Sequence, residues 1–267
     1  LTPEPLPTEN TPPNIFIIPA PDIPDRLPMP LGTLKETVRV PILMYHYISD
    51  PTADADKYSI DLSVSPANFR EQMGYLAENG YNTIDFYDLM MALSGSQPLP
   101  PNPVILTFDD GYVDNYEYAF PILEEFGLKG TFFIITEYVD FGNPHHMSWP
   151  MIEEMAAAGH RIESHTKTHP NLSALDWDGQ LYQLLGSQQT LAAHLGYTPR
   201  FLCYPGGRYN EETLILLQEL GYWGAVTTQS GKEHSFANRY EWQRMRIRNN
   251  TYLPEFAGIV RPPAGSA

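Results

Sequence analysis

The sequence predicts a parallel α/β domain, built either as a barrel or as a doubly wound sheet. Short apolar runs of strand length alternate with longer segments of helical spacing from about residue 38 onward, and glycines stand where several of those segments end. Strands separated by helices need crossover connections, and such connections place the strands parallel.

Residues 1–38 stand apart from this pattern. Ten of the 26 prolines lie between Pro3 and Pro30, a density that excludes helix and central strand and favours extended, solvated chain. We read 1–38 as a proline-rich linker or tether, 39–260 as the folded domain and 261–267 as a tail. The chain opens on Leu1 rather than Met. A tether in that place leads us to expect a secreted or membrane-anchored protein, outside the cell or at its envelope.

Within the domain, 40–45 reads as a buried strand. The segment 66–79 carries Phe69, Met73 and Leu76 at helical spacing, with Ser65 as cap and Gly80 as stop. Segment 82–84 is a strand, 87–93 a short helix, 94–103 a loop and 104–108 a strong strand. The alternation continues with a helix over 116–126, a strand over 131–135, a helix over 148–158 and a strand over 160–164. A helix over 178–195 ends at Gly196. Strand 201–204, helix 211–220 and strands 225–227 and 245–247 complete it.

Composition narrows the function classes. The 267 residues carry a formal net charge of -16, which opposes binding to nucleic acid, where basic groups release counterions. No run approaches the roughly 20 apolar residues that span a bilayer. Cys203 is the single cysteine, so no internal disulfide forms.

Four motifs sit where predicted strands end, the rim on which parallel α/β folds build their sites. The sharpest is Thr107-Phe108-Asp109-Asp110-Gly111-Tyr112. Adjacent carboxylates repel unless a cation or proton intervenes; by itself, Asp-Asp-Gly is also an ordinary turn that caps a helix. The second motif is His165-Thr166-Lys167-Thr168-His169-Pro170. Two imidazoles at this spacing can reach one metal from a tight loop. Two histidines and one carboxylate make a facial triad with open positions, suited to Zn²⁺, Co²⁺ or Ni²⁺, and leave the other aspartate free to act as a base. The third motif is Met44-Tyr45-His46-Tyr47, and the fourth is Cys203-Tyr204-Pro205-Gly206-Gly207. Glycine in the fourth lets backbone N–H groups approach a ligand. His160, His194 and His234 fall in no motif and read as structural or surface residues.

These motifs resemble the polysaccharide deacetylases of carbohydrate esterase family 4, which share the NodB homology domain, over about 38–256. The early LMYH and the F-x-x-QM-x-YL-x-x-x-GY pattern at Phe69–Tyr81 resemble the branch containing poly-N-acetylglucosamine deacetylases. The resemblance implies one distorted (β/α) barrel of about seven parallel strands. It implies a divalent metal on Asp110, His165 and His169, Asp109 as general base and His46 as general acid. In that branch the histidine found late in other members is supplied near the N-terminus. It also implies an oxyanion contact near the Gly206 N–H and an N-acetylated polysaccharide or oligosaccharide as substrate. Tyr112, Trp149 and Tyr209 offer apolar faces for a sugar ring, although packing is the commoner use of such residues. One departure is Cys203, which stands where many members carry arginine. Arg200 is nearer in sequence, the segment 243–248 (QRMRIR) offers more arginines, and Arg244 among them resembles the late-strand arginine of the branch, so which arginine orients the base stays open. An O-acetyl esterase acting on xylan would use the same site. A catalytically inactive sugar-binding module would not need base, acid and three ligands together.

Overall fold

The computed structural model describes residues 26–30, 36–52 and 54–262. Most of the expected linker, with its apolar run at 15–18, and the last five residues of the tail lie outside the described residues. The strands are β1 (Thr37–Arg39), β2 (Ile42–Tyr45), β3 (Asn82–Thr83), β4 (Pro103–Phe108), β5 (Thr131–Ile134), β6 (Arg161–Ser164), β7 (Phe201–Cys203), β8 (Gly224–Val226), β9 (Glu233–Ser235) and β10 (Met245–Arg246). The helices are α1 (Lys57–Leu62), α2 (Pro66–Glu78), α3 (Phe86–Leu93), α4 (Phe120–Glu125), α5 (Thr136–Asp140), α6 (Trp149–Ala157), α7 (Trp177–Leu195), α8 (Glu211–Glu219) and α9 (Leu253–Val260).

Seven strands run parallel in the order β10-β2-β4-β5-β6-β7-β8, and β3 adds to the lower end of β4. The sheet curls until β8 meets the segment leading into β10, through a parallel bridge between Val226 and Trp242. This is the distorted barrel of about seven strands, and it excludes the doubly wound alternative. The period-2 alternation of each strand sorts its residues between two layers. Ile42, Ile105, Phe133, Phe201 and Val226 point inward and pack with Trp242. Phe86, Tyr87, Leu89 and Met90 of α3 plug the interior beneath them. The alternate residues Leu43, Tyr45, Leu106, Phe108, Phe132, Ile134 and Ile162 point outward under α2, α4, α6 and α9. Leu202, Tyr204 and Ala225 do so under α7 and α8.

The differences from expectation are local. Thr37 and Val38, at the edge of the expected linker, belong to β1, which pairs antiparallel with β9. The helix expected over 116–126 opens as a π-helical turn, Asn115–Ala119, and becomes α-helical only at Phe120. Pro121 has no N–H to give to an earlier carbonyl, and its ring crowds the preceding turn. Helix α1 was not anticipated because none of its residues is buried, so it carries no apolar periodicity.

Glu163 is the polar exception inside the lower barrel. Strand β7 pairs with β6 at one register position only, Ser164 with Leu202. Below it the Glu163 carboxylate takes over, accepting from the backbone N–H groups of Arg200 and Phe201 at 3.0 and 2.8 Å and from Tyr87 Oη at 2.9 Å. Burial pushes its pKa from 4.5 up to about 8. Between those values the unfolded chain is ionised while the folded chain still holds the proton, so the group's contribution to stability falls as pH rises through the window. Glu163→Gln keeps the shape and cannot ionise. The melting temperature of the variant relative to the parent is expected to rise steadily from pH 5 to pH 8, measured by calorimetry; a constant gap would show that Glu163 does not titrate there.

Candidate active site

The four strand-end motifs meet on the C-terminal rim of the barrel. Asp109 continues β4, with its N–H bonded to Tyr45 O at 3.0 Å, and its side chain faces inward. Asp110 then takes a left-handed conformation, φ 73°. A strictly extended strand would send these neighbours to opposite faces; the turn at Asp110 keeps both carboxylates on the rim. Both are buried.

The His165–His169 loop closes over them. His165 Nδ1 donates to Cys203 O at 2.7 Å, since a carbonyl can only accept. In the neutral ring that leaves the Nε2 lone pair facing Asp110 Oδ1 at 3.1 Å. A lone pair aimed at a carboxylate calls for a proton or a cation between them. His169 Nε2 lies 3.4 Å from the same oxygen, and one ligand atom from each of Asp110, His165 and His169 falls within 4.8 Å of the others. The donor set therefore suits a divalent metal. Thr166 and His169 are also left-handed, at φ 67° and 59°, and the loop needs external support to hold that shape. Gln183 of α7 supplies it. Its Oε1 accepts from the N–H groups of Lys167 and Thr168, both at 3.0 Å, and its Nε2 donates to Thr168 Oγ1 at 2.9 Å.

Asp109 is held differently. Arg244 grips it with two parallel bonds, Nη1 to Oδ1 and Nη2 to Oδ2, both 2.7 Å. Burial works to raise the Asp109 pKa, but the guanidinium overrides it and holds the group well below the usual carboxylate range. Arg200 is occupied elsewhere, donating to Gly221 O, so of the candidate arginines Arg244 is the one on Asp109. Asp109, His165 and Cys203 form a second set with metal-ligand spacing. There the cation is already present, because Arg244 donates to both Asp109 and Cys203.

His46 follows β2 and turns Nε2 toward Asp109 Oδ2 at 3.8 Å. Its Nδ1 is buried and has no hydrogen-bond partner among the described residues, so the neutral ring favours its proton on Nε2, the site side. Burial lowers the His46 pKa, and the Asp109 and Asp110 charges oppose that shift. Asn115, in the π-helical turn, fixes the backbone here by donating to His46 O at 2.8 Å. Tyr112 stacks on Tyr47 with ring centroids 4.0 Å apart, and together they wall a cavity of about 600 Å³ beside the site. Gly206 lies exposed in the turn after β7, left-handed at φ 59°.

Other candidates go elsewhere. Trp149 lies flat on His194 with ring centroids 3.7 Å apart and donates to Asp140, so the structure gives it to packing between helices rather than to the rim. Tyr209 stacks on Tyr204 and donates to Glu241. His160 bonds Gly130 N and Glu124, and His234 bonds Val40 O, which agrees with their structural reading. Sequence reasoning missed Gln183 and Asn115. Gln183 lies amid a helix with no local signal, and Asn115 looks like any polar residue at a helix start.

A curled parallel barrel with buried carboxylates and two imidazoles converging on its rim defines a hydrolase site suited to a metal. The sequence profile of the polysaccharide deacetylase family matches residues 96–225. YxkH of Bacillus subtilis, whose name places it among the polysaccharide deacetylases, is 34% identical over 213 residues, covering 80% of this chain and 73% of that protein. The poly-beta-1,6-N-acetyl-D-glucosamine N-deacetylase of Escherichia coli K12 is 27% identical over 256 residues, and the match spans 80% of this chain but 37% of that longer protein. The structure of the Streptococcus pyogenes deacetylase PplD in complex with acetate superposes with a TM-score of 0.79 at 31% identity, covering 85% of this chain and all of that one. The chain belongs to the polysaccharide deacetylase family, a family of metal-dependent hydrolases.

The support that Gln183 gives the histidine loop is testable. Gln183→Leu leaves two backbone N–H groups without their acceptor, and metal affinity is expected to fall by about 10–100-fold, the usual scale for a lost outer partner. Competition with a graded chelator measures it; unchanged affinity would show that the loop holds its shape unaided.

Proposed function

We propose that this chain removes N-acetyl groups from N-acetylglucosamine-containing polysaccharide, releasing acetate and leaving a free amine on the sugar. The observation that carries this reading is the division of labour between adjacent aspartates. Asp110 faces two imidazoles, while Asp109 faces an arginine and a third imidazole. The named activity of the Escherichia coli relative supports the substrate class.

Asp110, His165 and His169 would hold the metal, Zn²⁺ first, with Co²⁺ or Ni²⁺ as substitutes. When bound, a divalent ion polarises an acyl oxygen and makes water acidic enough to attack at neutral pH. Asp109, kept ionised by Arg244, would accept a proton from the attacking water. The guanidinium lowers the basicity of the carboxylate but keeps it charged and fixes its plane. His46, once protonated, would give the Nε2 proton to the departing nitrogen; burial works against that cationic form, and the Asp109 and Asp110 charges oppose burial. The backbone N–H near Gly206 would take charge developing on the acyl oxygen, and Tyr112 would border the sugar. We place the activity outside the cell or at its envelope, in keeping with the proline-rich lead.

Acetate release should be measured with metal-reconstituted protein on poly-N-acetylglucosamine, peptidoglycan, chitin oligomers and acetylated xylan. Release from xylan alone would overturn the amide reading. Asp109→Asn is expected to keep stoichiometric metal while activity falls by about 10²–10⁴. His46→Ala is expected to behave in the same way. His169→Ala is expected to lose metal and activity together, and full metal content in that variant would refute the ligand set.

A further inference from the structure

We propose that Cys203 is a positioning residue of this site: its sulfur accepts the one guanidinium N–H of Arg244 that no oxygen of the described residues takes, and so fixes the plane in which Asp109 is presented. The inference rests on the reading of Asp109 as the base.

A guanidinium has five N–H donors and no acceptor. Arg244 lies inside the barrel, fully out of contact with solvent, so each donor needs a protein partner. Nε donates to Thr227 O at 3.0 Å. Nη1 donates to Thr107 Oγ1 at 3.0 Å and to Asp109 Oδ1 at 2.7 Å. Nη2 donates to Asp109 Oδ2 at 2.7 Å, and its second N–H meets Cys203 Sγ at 3.1 Å. Two of the supporting acceptors are anchored in the sheet. Thr107 sits on β4 and gives its own proton to Leu43 O at 2.7 Å. Cys203 ends β7, where its carbonyl also holds His165. The sulfur thus ties the guanidinium to the strand that orients a candidate metal ligand.

The thiol can also donate. Sγ lies 3.4 Å from Asp109 Oδ2, so one side chain accepts a hydrogen bond from the arginine and turns its own S–H toward the base. An apolar residue of the same bulk would fill the space but leave one N–H of a buried cation without an acceptor. The guanidinium would then tilt to find one, and Asp109 would turn with it. Small misplacements of a reacting group cost up to about a hundredfold in rate.

Three variants separate this role from simple packing. Cys203→Val fills the volume without an acceptor, Cys203→Ser keeps donor and acceptor in a smaller group, and Cys203→Ala keeps neither. Each is assayed with metal restored for kcat, KM, metal content and melting temperature. Cys203→Val is expected to lower kcat by about tenfold to a hundredfold with KM and metal content unchanged, while Cys203→Ser stays close to the parent. Full kcat in Cys203→Val, or losses that follow only melting temperature across the series, would overturn the proposal. If Cys203→Val does not fold, the kcat and KM of Cys203→Ala against Cys203→Ser decide it, since neither adds bulk. Asp109→Asn is run alongside. Loss there without loss in Cys203→Val rejects the role of Cys203 alone, whereas full activity in Asp109→Asn rejects the base itself and the proposal with it.

Discussion

The buried pair of Arg244 and Asp109 is the constraint on which the rest of the site depends. A guanidinium inside a barrel lined by Ile105, Phe133, Phe201 and Val226 is tolerable only if its charge is matched and its donors are filled. Removing one partner of such a pair costs about 3–5 kcal/mol, because the other charge is left alone in an apolar setting. The barrel meets the demand by bringing Thr107, Cys203 and Thr227 from three places to one cation. Asp109 is thereby ionised at any ordinary pH and held in one plane. The aromatic plug from α3 gives this polar cluster an apolar floor and leaves the rim as its open side.

Asp110 is governed by a different physics. It has no arginine, and its charge is met by His165 and His169. Those imidazoles reach it through a loop with two left-handed residues that are not glycine. Such backbone is held by over-determination, here by Gln183, by Thr166 Oγ1 on His169 N, and by the bond from His165 to Cys203 O. Neighbouring residues of one strand end thus have opposite surroundings: one carboxylate is matched by an arginine of the protein, and the other faces two imidazoles at a spacing that suits a metal ion. Cys203 touches both halves, through its sulfur to Arg244 and through its carbonyl to His165.

Chain order explains how one fold brings these groups together. Strands β10, β2 and β4 are neighbours in the sheet although Met245 and Ile42 are about two hundred residues apart. Arg244, just before β10, reaches Asp109 at the end of β4 across the barrel interior, and His46, at the end of β2, stands beside them. The turn that opens with Asn115 feeds back to the backbone of His46, so the helix after β4 helps to place the group after β2.

Much of this was legible in the sequence. Apolar runs, helical spacing and glycine stops set the strand and helix order, because these signals are local and periodic. The strand-end carboxylates and histidines announced a shared rim because parallel strands put their C-terminal ends on one side. What local pattern could not decide is which distant groups meet. The sequence left open which of Arg200 and the arginines of 243–248 meets the base, and only the curl of the sheet sends Arg244 to Asp109 and Arg200 to Gly221 O. Trp149 could serve packing or a sugar ring by sequence, and the packing of α6 on α7 lays it on His194. Gln183, Asn115 and the sulfur of Cys203 have no periodic signature at all. Their roles come from single contacts between residues far apart in the chain, and such contacts exist only once the barrel has closed around them.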